Sequence, residues 1–392
     1  MWTLQNGWVT LYLAALLIST KVTWGQQRTC TGSGETCVVL SSCPPLLKLL
    51  EPPVDFDNLR KLQESTCDEA GAEPKVCCVI KREEGKSQGG DKGSSTLDRI
   101  LNHKNLHLLP TSTSCGKSDP VELTPDRVAG GTDAGLGTYP WMVLVGYTMT
   151  SSSGKPGPIQ YGCGGTLINS NYVLTAAHCV SGLPAGFLPT IIRVGEYNQT
   201  ADVDCAENVC APKAQNIPIA ETIAHESYDV TEKKENDIAI IRMKKHVALG
   251  PFVAPICLPH GERLQKVSVR PWVAGWGRTT ADNPDQTAVL QHVSVPFQSM
   301  EKCNELYGAA LGNEVDDGRF CAGGEKGKDS CKGDSGGPLM LALKAKSANW
   351  ALRVFQFGVV SLGPKDCDTS AFPALYTKVS HFMPWLLDHL KP

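Results

Sequence analysis

At 392 residues the chain is long enough for one large core and a smaller module, because single cores stop growing near about 250 to 300 residues. Its 37 Lys and Arg against 40 Asp and Glu leave a formal net charge of −3, so no overall field draws it to nucleic acid or to an anionic membrane. The 16 cysteines form an even set in local groups, without the paired histidines of a zinc finger, which points to disulfides in an oxidising, extracellular compartment.

Residues 8–20, WVTLYLAALLIST, are a short apolar run followed by Thr23-Trp24-Gly25. We read residues 1–25 as a signal peptide, since the run falls short of the roughly 18 apolar residues that a membrane anchor requires. No later segment reaches that length.

Six cysteines follow between Cys30 and Cys78, a density at which bridges replace the core that so short a segment cannot bury. Residues 30–78 read as a small stapled module, with turns at Gly32 and Gly34, a break at Pro44-Pro45 and a short helical stretch around Leu46 to Leu50. Counting alone allows fifteen pairings of six cysteines. A metal at the adjacent pair Cys77-Cys78 is the weaker alternative, since the spacing is not that of CxxC ligands.

Residues 79–127 read as a linker and activation segment. From Lys81 to about Asn105 the composition turns to Lys, Glu, Gly, Ser and Asp around EEGKSQGGDKGSS, and such a stretch is expected to be flexible. From Val128 the pattern changes to short β-type runs, among them WMVLVGY, YVLTAA, IIRVGEY, DIAIIRM, WVAGWG, FQFGVVSL and ALYTKV, separated by Gly, Pro, Asn and Asp. Many short strands at such spacing indicate β-barrels or sandwiches. The last stretch, PWLLDHL, has Trp385, Leu386, Leu387 and Leu390 at helical spacing and predicts a closing amphipathic helix.

Three stretches in this region, TAAHCV, NDIAII and CKGDSGGPL, each set a reactive residue among small ones. A serine hydroxyl is a poor nucleophile until an imidazole takes its proton, and the imidazole needs a carboxylate to fix its tautomer and stabilise its cation. His178, Asp237 and Ser335 supply that set. The run Gly333-Asp334-Ser335-Gly336-Gly337 lets the chain turn so that the N–H groups of Gly333 and Ser335 converge on one oxyanion. The sequon Asn198-Gln199-Thr200 offers a glycan site on a surface loop.

On these motifs, residues 128–392 resemble the chymotrypsin-fold serine proteases. The resemblance implies a mainly β fold: two antiparallel six-stranded barrels with the site between them. It also implies the bridges Cys163–Cys179, Cys303–Cys321 and Cys331–Cys367. Arg127-Val128-Ala129-Gly130-Gly131 is similar to the family's activation junction, with Val-Ala where Ile-Val is commoner. Cutting after Arg127 is then expected to free the Val128 amine to pair with Asp334. A carboxylate without a partner is costly to bury, so this pairing would order the oxyanion loop only once the new N-terminus exists.

By the same resemblance Asp329 lies at the base of the primary pocket, with Ser330, Ser361, Gly363 and Ala374 also lining it. A carboxylate there selects Arg or Lys at the cut bond. Ala374 stands where glycine is usual and is expected to crowd the pocket floor. Leu362 replaces a usual Trp beside the outer subsites, and Pro271 and Leu341 replace both halves of a disulfide present in many relatives. Cys205 and Cys210 are extra and are expected to bridge within the loop after Glu196. That loop carries Asp202, Asp204 and Glu207. We read it as a solvated acidic loop, with calcium binding through Glu196, Asp202, Asp204 and Glu207 as the alternative and no other cofactor implied.

The N-terminal module resembles the clip domain of arthropod clip-domain serine proteases, whose six cysteines end in an adjacent pair. That family's connectivity implies Cys30–Cys77, Cys37–Cys67 and Cys43–Cys78, and leaves Cys115–Cys257 to tie the N-terminal chain to the protease after cleavage. The resemblance implies a secreted zymogen in an extracellular cascade of innate immunity, melanisation, Toll-ligand processing or clotting. Its expected partners are an upstream activating protease, a downstream zymogen or cytokine precursor as substrate, and a serpin-type inhibitor. A non-catalytic clip protein acting as a binding cofactor is the alternative from another class, and Ser335 argues against it. A digestive trypsin is the third reading, and the stapled module and linker argue against that.

Overall fold

The computed structural model describes residues 30, 35–39, 43, 46, 65–68, 75–79, 96–118, 132–150, 155–206, 208–230, 233–260, 264–266, 270–278, 286–312, 314–325, 333–363 and 372–392. The chain divides into two compact units, Met1–Lys92 and Gly93–Pro392. The signal peptide, Arg127, Val128, Glu207, Asp329, Ser330, Cys331 and Cys367 lie outside the described residues, as does the helical stretch expected at Leu46 to Leu50 apart from Leu46 itself.

In the first unit β1 (Glu35–Val39), β2 (Thr66–Asp68) and β3 (Lys75–Val79) form an antiparallel sheet in the order β1-β3-β2. Successive strand residues face opposite sides, so Cys77 and Cys78 reach different partners. Cys77 bonds Cys30 and Cys78 bonds Cys43, while Cys37 bonds Cys67. Cys43, Val76 and Cys78 are the buried centre, packed by Val38 and Leu46, a core small enough that the bridges must hold it.

The second unit begins earlier than the composition predicts. Residues Thr96–Leu101 form helix α1, followed by a 3-10 turn at Leu106–Leu108. Ile100 and Leu109 are buried in the main hydrophobic cluster. The flexible linker expected to run to about Asn105 is therefore corrected over residues 96–105: Ile100 anchors that stretch in the core while Leu97 and Leu101 stay exposed, and composition averaged over a window hides a single apolar anchor.

After β4 (Thr132–Asp133), the strands β5 (Met142–Met149), β6 (Gln160–Leu167), β7 (Tyr172–Thr175) and β8 (Phe187–Val194) are followed by a short hairpin of β9 (Cys205–Ala206) and β10 (Val209–Cys210). With β11 (Gln215–Ala224) and β12 (Ala239–Met243) they make a closed six-stranded barrel in the order β11-β12-β7-β6-β5-β8. The apolar runs read from the sequence as WMVLVGY, YVLTAA, IIRVGEY and DIAIIRM are four of these strands.

The second half holds β13 (Leu264–Lys266), β14 (Trp272–Gly275), β15 (Gln291–Ser294), β16 (Arg319–Gly323), β17 (Pro338–Ala345), β18 (Ala351–Leu362) and β19 (Pro373–Lys378). They form a sheet in the order β16-β19-β18-β17-β14-β15-β4, with β13 on β17. The chain just beyond β15 returns to β16 through a bridge between Phe297 and Ala322, with Gly323 N donating to Pro296 O at 2.8 Å and Gln298 N to Cys321 O at 3.0 Å. This link joins β15 to β16 and makes a second six-stranded ring of β14 to β19, with β4 and β13 as additions.

Helix α2 (Met300–Leu311) was not evident among the strand runs. Its signals are present: Ser299 caps it by accepting from Lys302 N, Gly312 ends it in the left-handed region at φ 70°, and Cys303, Tyr307 and Leu311 repeat every four residues on the buried side. Helix α3 (Val379–His389) is the expected closing helix, begun five residues before Pro384.

Candidate active site

Strand β7 is buried along its whole length and runs into a 3-10 turn over Ala177–Cys179 that carries His178. Ala176, Ala177 and Cys179 are buried and small, and Cys179 is bonded to Cys163 on β6. The turn therefore sits close against the barrel while the imidazole stands half-buried at its rim.

Asp237, just before β12, is fully buried. Its Oδ2 lies 2.8 Å from His178 Nδ1, and its Oδ1 accepts from the His178 backbone N–H at 2.9 Å. Ser361 Oγ donates to Asp237 Oδ2 at 2.6 Å, and Thr377 Oγ1 donates to the Asp237 carbonyl at 2.8 Å. Burial by itself pushes this carboxyl up. The charge of His178, its ring and backbone hydrogen bonds and the Ser361 hydroxyl outweigh burial and hold it below the usual carboxylate range. An acceptor at Nδ1 fixes the proton there and leaves Nε2 as the lone-pair nitrogen.

Ser335 is placed by its backbone. Its carbonyl accepts from Gly164 N at 2.8 Å, and Gly336 N donates to Val360 O at 2.9 Å. Gly336 has φ 79°, and a Cβ there would lie 2.1 Å from Thr175 Oγ1 and 2.6 Å from Gly164 O. Gly333 has φ 108° with Gly277 Cα 2.8 Å from the Cβ position. Only glycine meets both demands, and the close approach brings the Ser335 turn onto β6 and onto Thr175, three residues before His178. Among the described residues no hydrogen bond joins Ser335 Oγ to the His178 ring; such bonds commonly tighten only when substrate binds.

Asp334 rests on the Gly275-Trp276-Gly277 stretch, accepting from Gly277 N at 2.9 Å, and a Cβ on Gly275 would fall 2.0 Å from its Oδ1. Ser361, expected to line the substrate pocket, turns its hydroxyl to Asp237. Gly363 follows β18. Ala374 is fully buried on β19, opposite Ala322 of β16, in a cluster with Val360 and Tyr376. Leu362 packs beside Phe372 and Leu375.

The bridges Cys115–Cys257, Cys205–Cys210 and Cys303–Cys321 join the cysteines that the resemblance pairs. In the loop after β8, Glu196 accepts from Arg193 Nε at 2.5 Å and from Tyr197 N at 2.9 Å, while Asp204 accepts from the N–H groups of Tyr197 and Asn198. Asp202 pairs with Lys213 at the surface. Asn198 Oδ1 accepts from Thr200 N and Oγ1, closing the sequon on itself. Among the described residues the closely grouped Cys and His ligand atoms, Cys30 with Cys67 and Cys77, and Cys163 with His178 and Cys179, all include bridged cysteines.

Sequence reasoning missed Thr377 and Arg319. Arg319 is a buried cation on β16 that donates to Lys233 O, four residues before Asp237. Nothing local marks either residue, because their positions depend on strand register.

Compared with known protein families, residues 128–386 match Trypsin and residues 28–78 match the Regulatory CLIP domain of proteinases. CLIP domain-containing serine protease HP8 of Bombyx mori is 36% identical over 386 residues, covering 96% of each chain. Phenoloxidase-activating enzyme 1 of Spodoptera litura is 33% identical and covers 96% of each. The Spaetzle-processing enzyme of Drosophila melanogaster is 33% identical, covering 91% of this chain and 89% of that one. The crystal structure of the drosophila Grass clip serine protease of the Toll pathway superposes with a TM-score of 0.57 at 28% identity, covering 93% and 96%. A glycine-built Ser335 turn set against Gly164 and Thr175, a histidine that a buried carboxylate holds at two points, and a three-bridge module at the N-terminal end of the sequence thus accompany matches along the whole chain, which belongs to the clip-domain serine proteases of the trypsin family.

Proposed function

We propose that the chain is the secreted zymogen of a serine endopeptidase, activated by cleavage after Arg127, that cuts a protein substrate after Arg or Lys within an extracellular proteolytic cascade. The observation that carries the catalytic part is the double hold of Asp237 on His178, at 2.8 Å to the ring and 2.9 Å to the backbone. A fully buried carboxylate is costly, and here it sets one tautomer and one ring orientation and stabilises the imidazolium.

In this reading Ser335 Oγ attacks the carbonyl carbon of the scissile bond as its proton passes to His178 Nε2. The oxyanion formed accepts hydrogen bonds from the N–H groups of Gly333 and Ser335. Collapse breaks the C–N bond, and the leaving amine takes the proton from Nε2. Water then repeats the sequence on the acyl-enzyme, restoring Ser335. Asp329 selects the cationic side chain, since a buried carboxylate is repaid best by a cation. Cascade membership rests on the relatives named as phenoloxidase-activating and Spaetzle-processing enzymes.

The test is to cut the purified zymogen after Arg127, verify Val128 as the new N-terminus, and assay chromogenic peptides ending in Arg, Lys, Phe or Leu. Activity appearing only after the cut, and only on Arg or Lys, is expected. Silence on every peptide, with no labelling of Ser335 by diisopropyl fluorophosphate, would favour a binding cofactor instead.

A further inference from the structure

The segment that delivers Asp237 is strained. Lys234 and Asn236 both lie in the left-handed region, at φ 45° and 56°, although neither is glycine. Such conformations persist where surrounding structure over-determines them. Within the first half Asn236 Nδ2 donates to Ser227 O at 2.9 Å and Asp229 N to Glu235 O at 3.1 Å. From the second half, Ser361 and Thr377 bond Asp237 itself, and Arg319 Nη1 donates to Lys233 O at 2.8 Å.

Arg319 and Thr377 face each other across β16 and β19. Directly opposed residues of an antiparallel pair share a face, so one register position supplies both grips: Thr377 on the carbonyl of Asp237 and Arg319 on the carbonyl of Lys233. Arg319 is 2% exposed, and its Nε has no hydrogen-bond partner among the described residues. Its counter-ion Asp316, 2.8 Å from Nη2, is a 47% exposed side chain. An apolar side chain would fill this place without the cost of desolvating a cation; the ion pair with Asp316 and the bond to Lys233 O together offset that cost, and the second of them reaches the segment that carries Asp237.

We propose that Arg319 is a positioning residue for catalysis: it clamps the strained Lys233–Asp237 segment of the first barrel to the second, and so fixes the Asp237 carboxylate against His178. This rests on the proposed reading of His178, Asp237 and Ser335 as the hydrolytic set.

The experiment uses the full chain cut after Arg127, with Arg319→Met, Arg319→Gln and Arg319→Lys. For a small chromogenic ester or amide, Arg319→Met is expected to lower kcat about tenfold or more, since sub-ångström misplacement of catalytic groups is costly, with KM within about twofold. The downfield proton resonance of the His178 Nδ1–Asp237 hydrogen bond is expected to broaden. Arg319→Lys, which keeps a cation able to reach Lys233 O, is expected to recover most of kcat. Should Arg319→Met not fold, Arg319→Gln carries the same test, being polar but too short to span to Lys233. Folded Met or Gln variants with wild-type kcat and an unchanged resonance overturn the proposal, as does a kcat loss that Arg319→Lys does not relieve. If the wild-type enzyme itself resists diisopropyl fluorophosphate, the underlying hydrolytic reading fails instead, and the two failures are distinct.

Discussion

One carboxylate, Asp237, holds His178 at both its ring and its backbone, with Oδ2 2.8 Å from Nδ1 and Oδ1 2.9 Å from the amide nitrogen. The backbone bond fixes where the 3-10 turn sits and the ring bond fixes which nitrogen carries the proton. Asp237→Asn keeps the shape but offers an amide N–H where Nδ1 needs an acceptor, so the ring is driven to the wrong tautomer. The expected result is a fall in kcat of about 10⁴-fold with KM nearly unchanged, read by steady-state kinetics on the cut enzyme. A fall of less than about tenfold would show that Asp237 is not the residue that orients His178.

A second prediction concerns the Ser335 turn. At Gly336 a methyl would enter at 2.1 Å from Thr175 Oγ1 and 2.6 Å from Gly164 O, at a φ of 79°. Backbone cannot yield cheaply there, so the turn must move and carry Ser335 with it. Gly336→Ala is expected to lower kcat about 10²-fold or more, because a shift of about 1 Å in a reacting group costs that much. Gly312→Ala, also in the left-handed region but with open space around the added methyl, is expected to leave kcat unchanged and to cost only about 1 kcal/mol of stability. Equal kinetic effects of the two would mean that strain alone, rather than the docking of the Ser335 turn, is what matters.

What was legible in the sequence is what short stretches encode. The buried strands announce themselves as apolar runs, and His178, Asp237 and Ser335 each sit in a compact motif. What was not legible is set by register and distant packing. Thr377 and Arg319 act together only because β16 and β19 pair them, and the second ring closes through a single bridge at Phe297 that no propensity marks. Helix α1 was hidden for another reason: its six residues were averaged into a hydrophilic window, although Ile100 alone suffices to anchor it in the core.

The start of the loop that leads to Asp237 carries a pH dependence. The His225 ring packs on Phe382 and Trp385 of α3, and its Nδ1 accepts from Ser227 N at 3.2 Å. Burial lowers its pKa, Glu226 opposes this, and the nearby His389 and His381 add to the lowering. A base with a folded-state pKa below its unfolded value of about 6.5 binds fewer protons folded than unfolded near that pH. Its contribution is therefore complete above about pH 6.5 and declines as pH falls through the lowered value. Tm is expected to drop from pH 7 to pH 5, and His225→Asn, which keeps an acceptor for Ser227 N but does not titrate, is expected to flatten that part of the profile. An unchanged slope would assign the dependence to other groups.

The last prediction concerns what holds the N-terminal chain once Arg127 is cut. The covalent tie is Cys115–Cys257, which spans 142 residues; in the uncut zymogen, removing a native bridge costs about 2–5 kcal/mol. The contacts around it are extensive. Gly116 N donates to Pro255 O at 2.8 Å and Gly116 O accepts from Val354 N at 2.9 Å, so this short stretch bonds to backbone on both sides. Arg353 Nε donates to Ser112 O at 2.6 Å, and Asn169 Nδ2 donates to Leu108 O at 3.0 Å. Asn105 Nδ2 caps the end of α3 by donating to the carbonyls of Leu387 and Leu390, both at 2.9 Å, and His103 reaches Asp388. With Ile100 and Leu109 buried as well, residues 96–118 behave as part of the protease core. The double variant Cys115→Ser, Cys257→Ser, cut after Arg127, is therefore expected to elute as a two-chain complex in native size exclusion and to separate only on denaturation. Adding Gly116→Ala sets a methyl 2.3 Å from Val354 O and is expected to loosen the complex without touching the bridge. If the N-terminal chain of the serine variant instead elutes apart with Gly116 intact, the disulfide alone holds the two chains together.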